Sequence, residues 1–368
     1  MLKRILNWIN KIIWLEDDKK AWFKDFEHFK KTVKPVLNGE QKKLIQNYYK
    51  QFGYKVSTDW HDYYTSLTGL YSEKYIPADL MYTQIVPYLN YMPFELAYQD
   101  KNSYWRLLPN VIQPKCILQR VHSFFYDGNH IPITKEKAVD ICAHIDEVII
   151  KPTIDSCQGH GVKLLKNIEK GVTEDGITIE EIFEKYGNDF IIQERVKQSD
   201  FLSSLNESSL NTMRILTFRK DNEIIVLSTA IRIGGKGSVT DNGYGGGFCC
   251  GILQDGTLKD IGYRLTTGER ITQLQNGKKL KGLRIPHFNK VLEKAKELHL
   301  SLPYLRIIGW DFTLNKENEP VFIEMNTLPG LYIMQLNNGP VFGDYTDEVL
   351  KECASQRQFV QSKYFRVY

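Results

Sequence analysis

One stretch constrains the chain more than any other: RIIGWDFTLNKENEPVFIEMNTLPG, residues 306 to 330. An apolar run carries Asp311, a polar turn runs from Asn315 to Glu319, and a second apolar run delivers Glu324 and Asn326 before a Pro-Gly break. Strand side chains alternate, so the two-residue spacing puts Glu324 and Asn326 on one face. Two such runs joined by a short polar turn read as a β-hairpin. Facing side chains in antiparallel strands lie within about 5 Å, which brings Asp311 to the same place. A cluster of oxygen donors without nitrogen or sulfur suits Mg²⁺. The plainer reading makes Glu324 and Asn326 a polar end to a strand.

Composition limits what surrounds this hairpin. The 368 residues, 42% hydrophobic and 25% charged, describe a soluble globular chain with room for two or three subdomains. A net charge of +4, from 48 basic residues interspersed with 44 acidic ones, argues against a nucleic-acid partner. The six cysteines lack paired C-x-x-C spacing and are too sparse for a disulfide scaffold, which points to a reducing cytoplasm.

Residues 1–15 carry Leu2, Ile5, Leu6, Ile9, Ile12 and Ile13 at helical spacing, interrupted by basic and amide residues. They are expected to form an amphipathic helix rather than a membrane span. Packing on the chain's own core is favoured; docking at the inner membrane face is the alternative. The region from Ala21 to about Gln99 reads as mostly helical and rich in aromatic residues. There Trp60, His61, Tyr63 and Tyr64 either bury their rings or form a sugar-stacking platform, burial being the expected outcome.

Farther along, EVIIKPTIDSCQGHGVKLL (147–165) is a strand ending in Lys151-Pro152, a small polar loop with Ser156, Gly159 and Gly161, then a second strand. It has no Walker or dinucleotide glycine signature. Its backbone N–H groups can instead fold over phosphate oxygens, with Lys151 as a fixed cation. His160 inside the loop reads as a solvated residue. NDFIIQERVKQ (188–198) gives a strand ending at Glu194, Arg195 and Val196. Two more strands bear Arg214 and Arg232, followed by a glycine-rich stretch with Asp241 and Asn242. Cys249 and Cys250 read as strand neighbours facing opposite ways.

The ordered set, a lysine in Gln99-Asp100-Lys101, Lys151 at a strand end, a glycine loop, the QE strand, then D…E-x-N and T-x-P-G, resembles the ATP-grasp superfamily over roughly residues 99 to 345. The resemblance implies an α/β (α+β) fold in which two subdomains clasp ATP, with a hinge near 193–200. A mostly helical region (1–98) would precede it and a helical tail (346–368) would follow. It further implies that Lys101 and Lys151 contact phosphates and that the loop through Ser156, Gly159 and Gly161 closes over them. Glu194, Arg195 and Val196 would bind adenine, and Asp311, Glu324 and Asn326 would hold Mg²⁺.

Arg214, Arg232, Asn242 and the following Gly246-Gly247 look similar to the run in glutamate-ligase-type members. The phrases DWHDYYTSLTG, YIPADL, PYLN and LNTMRILT instead resemble ATP-grasp proteins associated with sugar transfer in bacterial surface-polysaccharide synthesis. The implied chemistry is an ATP-dependent ligase that makes an acyl phosphate from a sugar or glycan carboxylate and passes it to an amine. Arg214, Arg232 and Asn242 would sit on the acceptor side, and polysaccharide-synthesis enzymes would be partners. The alternatives are a kinase acting on a sugar hydroxyl and a non-catalytic partner of a glycosyltransferase.

Overall fold

The computed structural model describes residues 33–154, 159–241, 246–264 and 266–355. Ser156, Asn242, the amphipathic segment 1–15 and the end of the tail lie outside them. Two antiparallel sheets organise the chain. The first has the order β3-β2-β1-β6-β4-β5, built from β1 (Cys116–Val121), β2 (Phe124–Asp127), β3 (Pro132–Ile133), β4 (His144–Pro152), β5 (Lys163–Glu169) and β6 (Phe190–Glu194). Val148 and Ile150 of β4 turn one way, into a core shared with the helices Lys135–Cys142 and Ile179–Tyr186. Ile149 and Lys151, one residue out of phase, therefore face the other way. The second helix begins where the sequence dictates, with Thr178 and Glu181 forming a reciprocal capping box.

The second sheet has the order β11-β10-β9-β8-β7-β12-β13. Its strands are β7 (Thr212–Lys220), β8 (Glu223–Ile233), β9 (Phe248–Ile252), β10 (Leu258–Arg264), β11 (Arg270–Ile271), β12 (Ile307–Leu314) and β13 (Pro320–Asn326). Every residue of β12 is buried, which accounts for its nearly unbroken apolar run. Ile308, Trp310, Phe312 and Leu314 pack with the helix Phe288–Leu300 beneath the sheet. The expected hairpin forms, its turn fixed by the Asn315 side chain accepting from the Glu319 N–H at 2.8 Å.

Part of the upper face of this sheet is covered by the N-terminal region. Residues from Leu37 to Met92 share one core with Leu216, Phe218, Ala230 and the helix Leu331–Asn338. Trp60, His61, Tyr63 and Tyr64 are all within this core, so the burial reading holds and no exposed platform exists there. Asn90 of the PYLN phrase staples the layers together. Its amide donates to Ile307 and Thr327 carbonyls at 2.9 and 2.8 Å, while its oxygen accepts from the Arg306 and Ile307 N–H groups. Gln335 does the same for Ile76, exchanging hydrogen bonds of 2.9 and 3.0 Å with its backbone. Cys249 joins the upper core and Cys250 the lower one, as their adjacency in a strand requires. Among the described residues no helix is long and apolar enough to cross a membrane.

Candidate active site

The free face of the first sheet and the upper face of the second enclose a cavity of about 670 Å³. Its walls include Lys101, Lys151, Gly159, Glu194, Arg195, Val196, Arg214, Arg232, Asp311, Glu324 and Asn326. Gly161 sets the backbone of the loop beside it. It turns the chain at φ +74°, its carbonyl accepts from the Tyr186 hydroxyl at 2.8 Å, and a Cβ there would strike the Pro152 ring at 2.7 Å. His160, expected as a solvated loop residue, does line the cavity.

The centre of the site is one row across three strands. Asp311 on β12 is registered with Arg214 on β7 on one side and with Glu324 on β13 on the other. Asp311 is buried in an otherwise apolar strand, and such a carboxylate persists only when paired. Arg214 supplies the pair as a fork, its Nε donating to Oδ1 and its Nη2 to Oδ2, the latter at 2.7 Å. Arg232 adds a third donor, Nη1 to Oδ2 at 3.3 Å. Burial opposes ionisation of Asp311, but the two guanidiniums outweigh it and hold the carboxyl below its usual range.

Arg232 is shared. Its Nη2 lies 3.3 Å from Asp241 Oδ1, and the other Asp241 oxygen accepts from the Thr212 hydroxyl, on the residue registered opposite Arg232. Burial raises the Asp241 pKa, with Arg232 acting against that rise. Asp241 and Thr212 both line the cavity, and no sequence pattern marks either of them for a role. Their signal, a single acid near a glycine run, is too common to have singled them out.

At the other end stand the lysines. Lys151 is lowered to about 8 by burial first and by the neighbouring Lys101 second, with Glu324 pulling the opposite way. Lys101 Nζ lies 3.7 Å from Glu324 Oε2. The two cations converge although they come from separate segments. Beyond them, at the end of β6 in the first sheet, Glu194 pairs with Lys115 at 3.0 Å and Arg195 with Glu147 at 3.0 Å.

The oxygen donors fit Mg²⁺. Glu324 is partly exposed to the cavity, and Asn326 directs its amide nitrogen to the Gly309 carbonyl at 3.5 Å, leaving its oxygen available. Asp311 has both oxygens engaged by arginine, yet a carboxylate retains further lone pairs for a shared ion. Among the described residues no group of three or more His, Cys, Asp or Glu could hold a metal, so the set is two carboxylates and an amide. Mg²⁺ needs no more, because phosphate oxygens and water complete its shell.

Two antiparallel sheets closing on lysines from one side and an Asp/Glu-x-Asn set from the other define an ATP-grasp protein. The sequence profile of the sugar-transfer associated ATP-grasp family matches residues 99–351, and the chain belongs to that family. No curated protein matches the chain. Similar solved structures include D-alanyl-alanine synthetase A from Vibrio cholerae O1 biovar eltor, at 14% identity and TM-score 0.39, covering 70% of this chain and 64% of that one. Others are the D-alanine–D-alanine ligases from Bacillus anthracis (12%, TM-score 0.38, 71% and 69%) and Coxiella burnetii (8%, TM-score 0.39, 72% and 60%). The chain thus spans less than two thirds of the length of the first of these.

Proposed function

We propose that the protein is an ATP-dependent ligase that phosphorylates a carboxylate of a sugar or polysaccharide precursor and joins the resulting acyl group to an amine. The observation that carries this reading is the convergence of Lys101, Lys151, Glu324, Asn326, Arg214 and Arg232 on one cavity. Phosphoryl transfer asks mainly for positioning and charge neutralisation, which the lysines provide toward phosphate oxygens. Mg²⁺, held by Glu324 and Asn326 with Asp311, would supply further neutralisation of the triphosphate. Arg214 and Arg232 orient the acceptor carboxylate and stabilise oxyanion charge as the amine attacks. Glu194 to Val196 line the adenine end. Asn242 and the Ser156 loop keep the acceptor and phosphate roles that the resemblance implies. The protein works in the cytoplasm, alongside polysaccharide-synthesis enzymes.

A second reading, a kinase acting on a sugar hydroxyl, draws on one observation. Asp311 and Asp241 already balance the charges of both arginines, a setting that also suits a neutral acceptor. A screen of ADP release over uronic acids, sugars and amino acids, read by mass spectrometry, separates the two. Orthophosphate release that needs both an acid and an amine identifies the ligase. A phosphorylated sugar identifies the kinase, and no ADP release with any acceptor defeats both.

A further inference from the structure

Two lysines from unconnected segments serve one polyanion only if their ammonium groups keep a fixed separation. Lys101 opens the single turn Lys101–Ser103, and that turn is held from several directions. Asp100 accepts from the Asn102 N–H at 3.0 Å and from the Ser103 hydroxyl at 3.3 Å. The Lys101 N–H donates to the Thr153 carbonyl at 3.3 Å. The Asn102 side-chain amide donates to the Thr153 hydroxyl at 2.9 Å and to the Arg120 carbonyl at 3.2 Å. Gln119 completes the hold by donating to the Asn102 carbonyl at 3.1 Å.

Thr153 is the node of this set. It follows Lys151 by two residues, is completely buried, and both of its oxygens are bound by the Lys101-Asn102 segment. Its own N–H is fixed by the Asp189 carbonyl at 3.2 Å. Neither Asn102 nor Thr153 lines the cavity, so either can influence a ligand only through its neighbours.

We propose that Asn102 and Thr153 are positioning residues that fix Lys101 against Lys151, so that both ammonium groups meet one set of phosphate oxygens. The proposal rests on the reading of the two lysines as phosphate-binding. It assigns no contact with ligand to Asn102 or Thr153, and a double-mutant cycle with Lys101 isolates their effect.

The test is calorimetric titration of the full chain with Mg²⁺-ATP, paired with thermal melting, for Asn102→Ala, Thr153→Val, Thr153→Ser, Lys101→Ala and the double variant Asn102→Ala/Lys101→Ala. Loss of one such hydrogen bond should weaken ATP binding about tenfold in Asn102→Ala and Thr153→Val. Thr153→Ser, which keeps the hydroxyl, should bind as the parent does. The double variant should bind no more weakly than Lys101→Ala alone. Parent-like affinity in both Asn102→Ala and Thr153→Val, or losses additive with Lys101→Ala, would overturn the proposal and leave the lysine reading standing. Parent-like affinity in Lys101→Ala would remove that reading and the proposal with it. Should Asn102→Ala fail to fold, the Thr153→Val and Thr153→Ser pair decides alone.

Discussion

Two pairs of cations face the same cavity, and their counter-charges differ. Lys101 and Lys151 share the partial attention of Glu324, whereas Arg214 and Arg232 are matched by Asp311 and Asp241. At the lysine end, burial makes positive charge costly enough to lower Lys151 to about 8, with the neighbouring Lys101 adding to the effect. The arginine end is balanced, with its guanidiniums aimed by carboxylates. On the proposed function, the lysine end would be neutralised by a polyanion, and the arginine end is preorganised for charge that develops during reaction.

The largest effect that would break this contrast is at Lys151. Lys151→Met should reduce ADP release a hundredfold or more while the melting temperature stays at or above that of the parent, since the change removes a buried, disfavoured charge. Parent-like turnover would make Lys151 a bystander. Arg232→Ala should lower kcat on the order of a hundredfold with ATP affinity retained. It should also lower stability by about 3–5 kcal/mol in denaturant unfolding, because Asp241 and Asp311 each lose a partner. Arg232→Lys should not restore activity, since one ammonium does not reproduce a planar fork. A loss of ATP affinity at unchanged kcat would instead place Arg232 on the nucleotide.

Smaller changes sharpen the comparison. Asp241→Asn keeps the shape but unbalances the arginine end, and should lower kcat about tenfold without altering ATP affinity in titrations. Removing Mg²⁺ with a chelator should weaken ATP binding by about the same factor, because Glu324 and Asp311 would then face the triphosphate directly. The mildest effect is on pH. Burial lowers Lys151 from its ordinary 10.5, so the cost of its charge is present below about 8 and is relieved as pH rises above it. Bound phosphate favours the charged form, so ATP affinity should fall as pH increases through about 8, by at most tenfold per pH unit. In Lys151→Met that slope should vanish.

Much of this site was legible in the chain because its parts are local. The Asp311 to Asn326 hairpin follows from alternation and a turn, and the Lys151 strand end from an apolar run broken by proline. Helix starts such as Thr178 with Glu181 are written within four residues. The aromatic N-terminal segment was harder. Its rings announced burial, but not that they would cover part of the upper face of the second sheet and merge with the helix Leu331–Asn338.

The chain alone settles the kind of residue at each strand position, and hence which side chains share a face. Period two is a property of the backbone and needs no knowledge of the rest of the fold. The pairings between distant residues were set by packing. Asp241 meets Arg232 and Thr212 because three segments close over one spot, and Asp311 is paired with two arginines from different strands. Gly161, in the loop after Lys151, makes its turn against the Pro152 ring. Such outcomes depend on distances between residues far apart in the chain, and those distances are set by how the cores pack rather than by any local pattern.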